Sequence, residues 1–326
     1  MTKRVTQERV RSAAAALRAG GLVVMPTETV YGLAADAFNR SAVREIFRLK
    51  GRPAFDPLIV HVLDMAQLAR VVRAVPAAAR ELIDAFWPGP LTLVLPKRGA
   101  LPAEVTSGLA TVAVRMPGHP VARRLLRAFG GPLAAPSANR FGRISPTSAA
   151  AVRQEFGGKT PLLLDAGPCR HGLESTIVRP RGAGFEILRP GAITAEQIEA
   201  VTGRRVRLLR AGHASPHPEA PGLLEQHYAP ARPVQLLPMG WRVEGRRFGK
   251  RDALLAFGRG FPAFPGPVRL LSQRASLRDA ARNLYRLLRE LDASGARRIF
   301  AEVVPDRGLG RAINDRLRRA AGLARE

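Results

Sequence analysis

The chain is predicted to be an α/β protein built in two units, and three features of the sequence predict it. Short apolar runs alternate with longer amphipathic patterns of helical period over roughly residues 1–205. A segment rich in Pro and His, 208–231, breaks that rhythm. The alternation then resumes over 232–326.

In chain order, residues 7–19 place Val10, Ala13, Ala14 and Leu17 on one helical face, and Gly20-Gly21 supplies a stop. Strands are expected at 22–25, 58–62, 91–95, 112–116, 132–135, 162–165, 175–179 and 185–189. Helical patterns separate them near 41–50, 65–74, 76–86, 119–129, 147–156 and 194–202. The last of these opens on Thr194 and Gln197, a capping-box pair. Residues 208–231 are expected to be a linker, in which His227-Tyr228 is an unusual pair for a purely solvated segment. Beyond it, "VQLLP", "DALLAFG", "VRLLS" and "RIFAEVV" are expected strands. Ser276 to Ser294 is an expected helix with Leu277, Ala281, Leu284, Leu288 and Leu291 on its buried face, and a final helix is expected over 308–321.

Composition narrows the function classes. With 326 residues, 46% of them hydrophobic, the chain can bury a real core. No apolar run approaches the ~20 residues that span a bilayer. The N-terminal segment reads as an amphipathic helix rather than a signal peptide, so a cytoplasmic protein is expected. Cys169 is the single cysteine, which excludes intramolecular disulfides and Cys-based zinc sites. The net charge of +26 invites a polyanion partner, although only five of the 52 basic residues are Lys and an Arg-rich composition also reflects a GC-rich genome. Residues 232–326 hold 21 basic and nine acidic residues.

Several stretches could carry chemistry. "PTETVYGLAAD", 26–36, follows the apolar run Leu22–Met25 and presents Thr27, Glu28, Thr29 and Tyr31 before Gly32. It reads either as a loop with a Thr-Glu helix cap or as the lip of a ligand pocket, with Gly32 turning the chain beneath it. Lys50 and Arg52 flank Gly51 where a helix pattern ends. They could grip one phosphate, or Lys50 could merely complement the helix C-terminus. "APSANRFGRISPTS", 135–148, is a polar loop at a strand end, either a ligand loop or a simple Asn/Ser/Gly turn. Arg115 and Arg189 end strands, Glu174-Ser175-Thr176 begins one, and His61 lies inside an apolar run, where a hydrogen-bonded core role is the plain alternative. His119, His171, His213 and His217 read as surface or loop residues. No Walker P-loop, G-x-G-x-x-G, H-E-x-x-H or G-x-S-x-G is present, so a bound nucleotide would rely on scattered cations and hydroxyls.

Taken together, "PTETVYGL", Lys50-Gly51-Arg52-Pro53, "PLIVH", "PSAN", "ESTIV" and "LRPG" resemble the Sua5/YrdC/YwlC family, and "PGLLEQHYAP", 221–230, resembles the linker of its long Sua5 form. Leu223 stands where the family's linkers often have Met. The resemblance implies a YrdC-like twisted mixed-sheet catalytic domain over 1–207, a linker over 208–231 that closes on the active site, and a smaller Rossmann-like C-terminal Sua5 domain over 232–326. It implies an L-threonylcarbamoyladenylate synthase that joins L-threonine, bicarbonate or CO2, and ATP, releasing pyrophosphate, for t6A at position 37 of ANN-reading tRNAs. By the same resemblance, Lys50, Arg52, Ser137 and Asn139 would be catalytic. With Asp56, Thr111, Ser145, Arg189, His227 and Tyr228 they would hold ATP. Thr29, Tyr31, His61, Arg115, the backbone of Ala135 and Ser175 would surround threonine. Mg²⁺ would arrive with ATP without fixed protein ligands, no organic cofactor is implied, and the partners would be other t6A-synthesis proteins, with tRNA contacted indirectly and no membrane. Two rivals remain. One is a non-catalytic protein binding double-stranded RNA or tRNA. The other is a carbamoyl-transfer module of hydrogenase maturation, which the single Cys disfavours.

Overall fold

A computed structural model describes residues 5–209, 220–223, 227–242 and 247–323. The chain runs α1 (Gln7–Arg18), β1 (Val23–Met25), β2 (Gly32–Asp36), α2 (Arg40–Lys50), β3 (Ile59–His61), α3 (Met65–Val71), α4 (Ala77–Phe86) and β4 (Leu91–Pro96). It continues with α5 (Ala103–Thr106), β5 (Thr111–Arg115), α6 (Pro120–Phe129), β6 (Leu133–Ala134), α7 (Ala149–Phe156), β7 (Leu162–Leu163), β8 (Thr176–Arg181), β9 (Gly184–Arg189), α8 (Ala195–Thr202) and β10 (Val206–Leu208). After the linker come β11 (Val234–Leu237), β12 (Asp252–Ala256), β13 (Val268–Leu270), α9 (Leu277–Asp292), β14 (Arg298–Glu302) and α10 (Leu309–Ala320). The middle of the expected linker, with His213 and His217, lies outside the described residues.

Two sheets result. The larger is mixed, in the order β10-β9-β8-β4-β5-β3-β6-β2-β1-β7; the smaller is all parallel, in the order β11-β14-β12-β13. Local chemistry explains the elements. α1 buries Val10, Ala13, Ala14 and Leu17, the expected face, behind a Thr6 cap. α8 carries the Thr194–Gln197 capping box. α9 buries Ala281, Leu284, Leu288 and Leu291, with Tyr285 joining them.

The two faces of the larger sheet have different jobs. Side chains alternate along each strand. Val60, Val112, Val114, Leu91, Leu93 and Leu95 enter the main core, packed with Val43 and Ile46 of α2, Leu68 of α3 and Leu82 of α4. Ile59, Ala113, Val94 and Ile177 cluster on the opposite face with Ala220 and Leu223 of the linker. That face bears the polar residues considered below.

β2, Gly32–Asp36, lies outside the strands the sequence predicts, in a stretch that reads as loop. Gly32 is also not a turn residue. It opens β2, pairs with Met25 across an antiparallel ladder, and bridges to Ser137. A Cβ placed on Gly32 would make only ordinary contacts, 3.4 Å from Ala135 Cβ and 3.6 Å from Pro136 O, so the space here does not demand glycine. No helix follows Thr27 and Glu28, so the helix-cap reading fails. Thr27 instead caps a turn: its Oγ1 accepts the Thr29 and Val30 N–H groups, each at 3.2 Å.

Candidate active site

One row of polar side chains crosses the sheet's second face. His61 of β3 pairs with Arg115 of β5, and Arg115 pairs with Thr92 of β4. Thr92 Oγ1 lies 2.7 Å from Ser175 Oγ, and Arg189 Nη2 donates to Ser175 O at 3.0 Å and to its Oγ at 3.3 Å. A continuous polar path therefore leads from Arg115 to Arg189. Below the row lie Ile59, Ala113 and Val94, an apolar floor.

Arg115 is buried and held on three sides. Its Nε donates to Gly89 O at 3.1 Å, its Nη1 to Thr29 Oγ1 at 2.7 Å and its Nη2 to Glu28 Oε1 at 2.5 Å. A guanidinium has five N–H groups, so one remains on each Nη, the pair that a carboxylate takes bidentately. Glu28 also accepts the N–H groups of Gly118 and His119 at 3.0 and 3.1 Å. Burial alone would raise its pKa, but Arg115 and these N–H groups outweigh burial and hold it at about 2. His61 is pushed down to about 3 by burial, with Arg115 adding repulsion, so the ring is neutral. Tyr31 is different. Its ring sits in the main core and its hydroxyl donates to Gly167 O at 2.7 Å and accepts the Ala166 N–H at 3.2 Å. It braces the 165–167 segment and is not part of the polar row. The Ala135 N–H bonds Ile59 O at 2.9 Å.

A second group gathers around α2's end. Gly51 takes φ 62°, the left-handed cap that only glycine adopts cheaply, and so turns Lys50 and Arg52 inward. Lys50 Nζ donates to Ser137 O at 2.6 Å and to Asn139 O, and Phe141 N–H returns to Lys50 O at 2.8 Å. This pins the 137–141 loop to the helix. Burial lowers the Lys50 pKa well below its usual range, and neighbouring Arg52 lowers it further. Arg52 donates to Asp56 O and Pro57 O at 2.9 and 2.7 Å, and its Nη2 lies 2.8 Å from Asp56 Oδ2. Asp56 is fully buried, and burial raises its pKa against the pull of Arg52, Lys50 and Arg189. His227 is buried among the same cations, and burial with the charges of Arg52, Lys50 and Arg189 keeps it neutral. Its ring meets Tyr228 edge-on at 4.0 Å. Thr111 stands apart, half-buried at the start of β5 and opposite Pro96.

Eight of the twelve buried side-chain polar atoms without a hydrogen bond, among the described residues, belong to this region: both Asp56 oxygens, His61 Nδ1, Asn139 Oδ1, Ser145 Oγ, Arg189 Nε, His227 Nδ1 and Tyr228 OH. Asp56 meets Arg52 through charge without an aligned hydrogen bond. Asn139 uses its Nδ2 on Arg140 O and Arg143 O, at 2.7 and 2.9 Å, which turns Oδ1 away. Folded proteins pair nearly all such atoms, so a cluster of exceptions marks a place built to receive a polar ligand. Residue reasoning missed Thr92, and it placed Glu28 and Glu174 in candidate stretches without giving either a role of its own. Glu28 had a signal, since a carboxylate within "PTETVYG" has to be paired once buried. Among the described residues no group of three or more His, Cys, Asp or Glu side chains could hold a metal ion, and no helix is long and apolar enough to cross a membrane.

The chain is similar to known proteins over nearly its whole length. A family model described as telomere recombination matches residues 15–191, and one described as threonylcarbamoyl-AMP synthase, C-terminal domain, matches 193–322. The chain is 41% identical to a threonylcarbamoyl-AMP synthase of Pyrococcus abyssi, over 98% of this chain and 96% of that protein. It is 42% identical to one of Bacillus subtilis, over 96% and 93%. A crystal structure of the P. abyssi Sua5 complexed with L-threonine superposes with a TM-score of 0.89 at 40% identity, covering 98% of this chain and 96% of that one.

Proposed function

The chain belongs to the Sua5/YrdC/YwlC family of threonylcarbamoyl-AMP synthases, and from that premise we propose how its residues divide the work. It is a nucleotidyltransferase-type enzyme that makes L-threonylcarbamoyladenylate and pyrophosphate from L-threonine, bicarbonate or CO2, and ATP, for the t6A modification of tRNA.

Arg115 holds the threonine carboxylate through its two remaining N–H groups, with Glu28 and Thr29 fixing the guanidinium. Neutral His61 and Ser175 line the same side. The threonine amine attacks CO2, forming a C–N bond and losing a proton to give a carbamate. A carbamate oxygen then attacks the α-phosphorus in line, and the bond to pyrophosphate breaks. Lys50, Arg52 and Arg189 neutralise the phosphate charge that builds up, while Ser137, Asn139 and Ser145 orient the nucleotide. Thr111, at the far end of β5, reaches only an extended part of the nucleotide. Tyr31 serves as a brace for the wall. Mg²⁺ enters as part of the ATP substrate; Asp56 is held by Arg52 rather than free to ligate it. The linker, with His227 and Tyr228, covers the reacting centre and keeps water from the carbamate and adenylate. We assign the catalytic unit to 1–207, the linker to 208–231 and the accessory unit to 232–326. Other t6A-synthesis proteins receive the product, and tRNA contact is indirect.

The observation that carries this reading is the convergence of three buried cations and eight buried polar atoms that make no hydrogen bond, beside a carboxylate-ready arginine. Mass spectrometry tests it. Protein, MgATP, threonine and ¹³C-bicarbonate should yield threonylcarbamoyl-AMP carrying the label, and its absence, with ATP intact, would refute the assignment.

A further inference from the structure

The interface between the two sheets hides an arginine whose contacts are unusual. Arg316, on α10, is 0% exposed. Its Nε donates to Glu174 Oε2 at 2.9 Å, its Nη2 to Pro190 O at 3.0 Å, and its Nη1 to Asp315. Its guanidinium carbon lies 4.8 Å from the centre of the Tyr228 ring. Each of the first two partners adjoins a residue assigned above to substrate: Glu174 precedes Ser175, and Pro190 follows Arg189. The ring it covers is the linker's own Tyr228. Glu174 is gripped a second time by Tyr285 of α9, at 3.0 and 2.8 Å, and Tyr285 stacks on Tyr228 at 5.8 Å.

Nothing in this network touches the reacting atoms, yet it fixes three elements that do. The partners are far apart in sequence, 142 residues from Glu174 to Arg316 and 126 from Pro190. Replacing a whole buried ion pair with apolar residues is often harmless to stability, so charge pairing alone does not account for this network. Three directed donors on one planar fork, with a ring beneath, instead define an orientation, which lysine cannot reproduce. Tyr228 itself takes φ 63°, a conformation costly for a non-glycine residue that its surroundings must hold. Gly222 packs against it so closely that a Cβ there would meet the Tyr228 hydroxyl at 2.5 Å.

We infer that Arg316 is a positioning residue, through which the C-terminal unit sets the linker and Arg189 for nucleotide binding. This rests on the synthase reading. The threonine holders Arg115, Thr29 and His61 are not among the contacts of Arg316, and Ser175 is reached only through its neighbour Glu174 and through Arg189, so the effect should fall mainly on ATP.

The test is steady-state pyrophosphate release by full-length Arg316→Lys. Loss of charge-assisted contacts to two backbone-linked sites should raise the KM for ATP roughly 10- to 100-fold. The KM for threonine should move less than about twofold even though the variant melts a few degrees lower, because lysine leaves part of the buried Glu174, Asp315 and Pro190 contacts unmade. The charge-balanced double variant Glu174→Gln/Arg316→Met should show the same selectivity, which guards against a folding defect in the single one. In a Tyr228→Ala background, Arg316→Lys should add little, because both changes release the same element. Equal weakening of ATP and threonine, or unchanged ATP kinetics in both variants, overturns the inference. A wild-type protein that releases no threonine-dependent pyrophosphate would instead overturn the synthase reading, so the two failures are distinct.

Discussion

Glu28 offers the sharpest energetic prediction. The residue is 8% exposed, its carboxylate is bonded to Arg115 and to two backbone N–H groups, and its pKa falls from the ordinary 4.5 to about 2. A folded-state pKa below the unfolded one stabilises the fold above the unfolded value. That contribution is lost as pH falls from about 4.5 through 2. The gap corresponds to about 3 kcal/mol at ~1.4 kcal/mol per pH decade. The perturbation is Glu28→Gln, which keeps the shape and removes the charge. Above pH 5 the variant should be less stable than the wild type by about 3 kcal/mol, the low end of what breaking a buried pair costs. Near pH 2 the wild-type carboxyl is itself half protonated, and most of the difference should vanish. The assay is urea unfolding followed by tryptophan fluorescence at intervals from pH 2 to 7, read as the difference between the two proteins. A difference that stays constant across that range would refute the reasoning, since it would mean that the charge of Glu28 is not what binds this corner together.

Four further outcomes follow from the same geometry. Lys50→Met should lower the rate of adenylate formation by ~100-fold or more, as removal of a transition-state charge contact does. Because burial holds the Lys50 pKa well below its usual range, wild-type ATP affinity should weaken with rising pH before pH 10.5, and Lys50→Arg should abolish that trend; ATP KM measured between pH 7 and 10 decides it. Thr29→Ala removes the hydroxyl that accepts Arg115 Nη1 at 2.7 Å and should raise the threonine KM ~10-fold while leaving that of ATP unchanged, by steady-state kinetics. Gly172→Ala would place a Cβ 2.5 Å from Arg282 Cα, at φ +74°, and should force the 165–175 loop off α9. A melting temperature lowered by ~4 °C or more is expected, and an unchanged melt would contradict the close packing.

Much of this architecture was legible in residue patterns, and the exceptions have physical reasons. α1, α8 and α9 announce themselves because burial, capping and period coincide in one stretch of chain. β2 did not, because Gly32, Ala34 and Ala35 are poor strand formers without alternation. It exists because β1 and β6 offer it ladder partners on both sides. α5, four residues long, and β10, three residues long, are too short to show a period. In the site, Lys50 and Arg52 were readable from the Gly51 stop between them. The role of Arg115 was readable only in part, because its companion Glu28 comes from the loop between β1 and β2 and Thr92 from β4. Tyr31 lies between Val30 and Gly32; its ring joins the main core and its hydroxyl bonds the distant Gly167 and Ala166, contacts that no local pattern shows. Arg316 carried no local sign at all. Its meaning lies in Glu174, Pro190 and Tyr228, which only tertiary folding brings to it.

The account stands on one spatial statement, that amino acid and nucleotide meet over a single face of the larger sheet. A crystal structure of the full chain with L-threonine and a non-hydrolysable ATP analogue tests it most directly. It should show the carboxylate on Arg115, the phosphates on Lys50, Arg52 and Arg189, and the threonine nitrogen facing the α-phosphorus beneath Tyr228. Phosphates bound on another surface, with Lys50 still bonded only to Ser137 and Asn139, would contradict it.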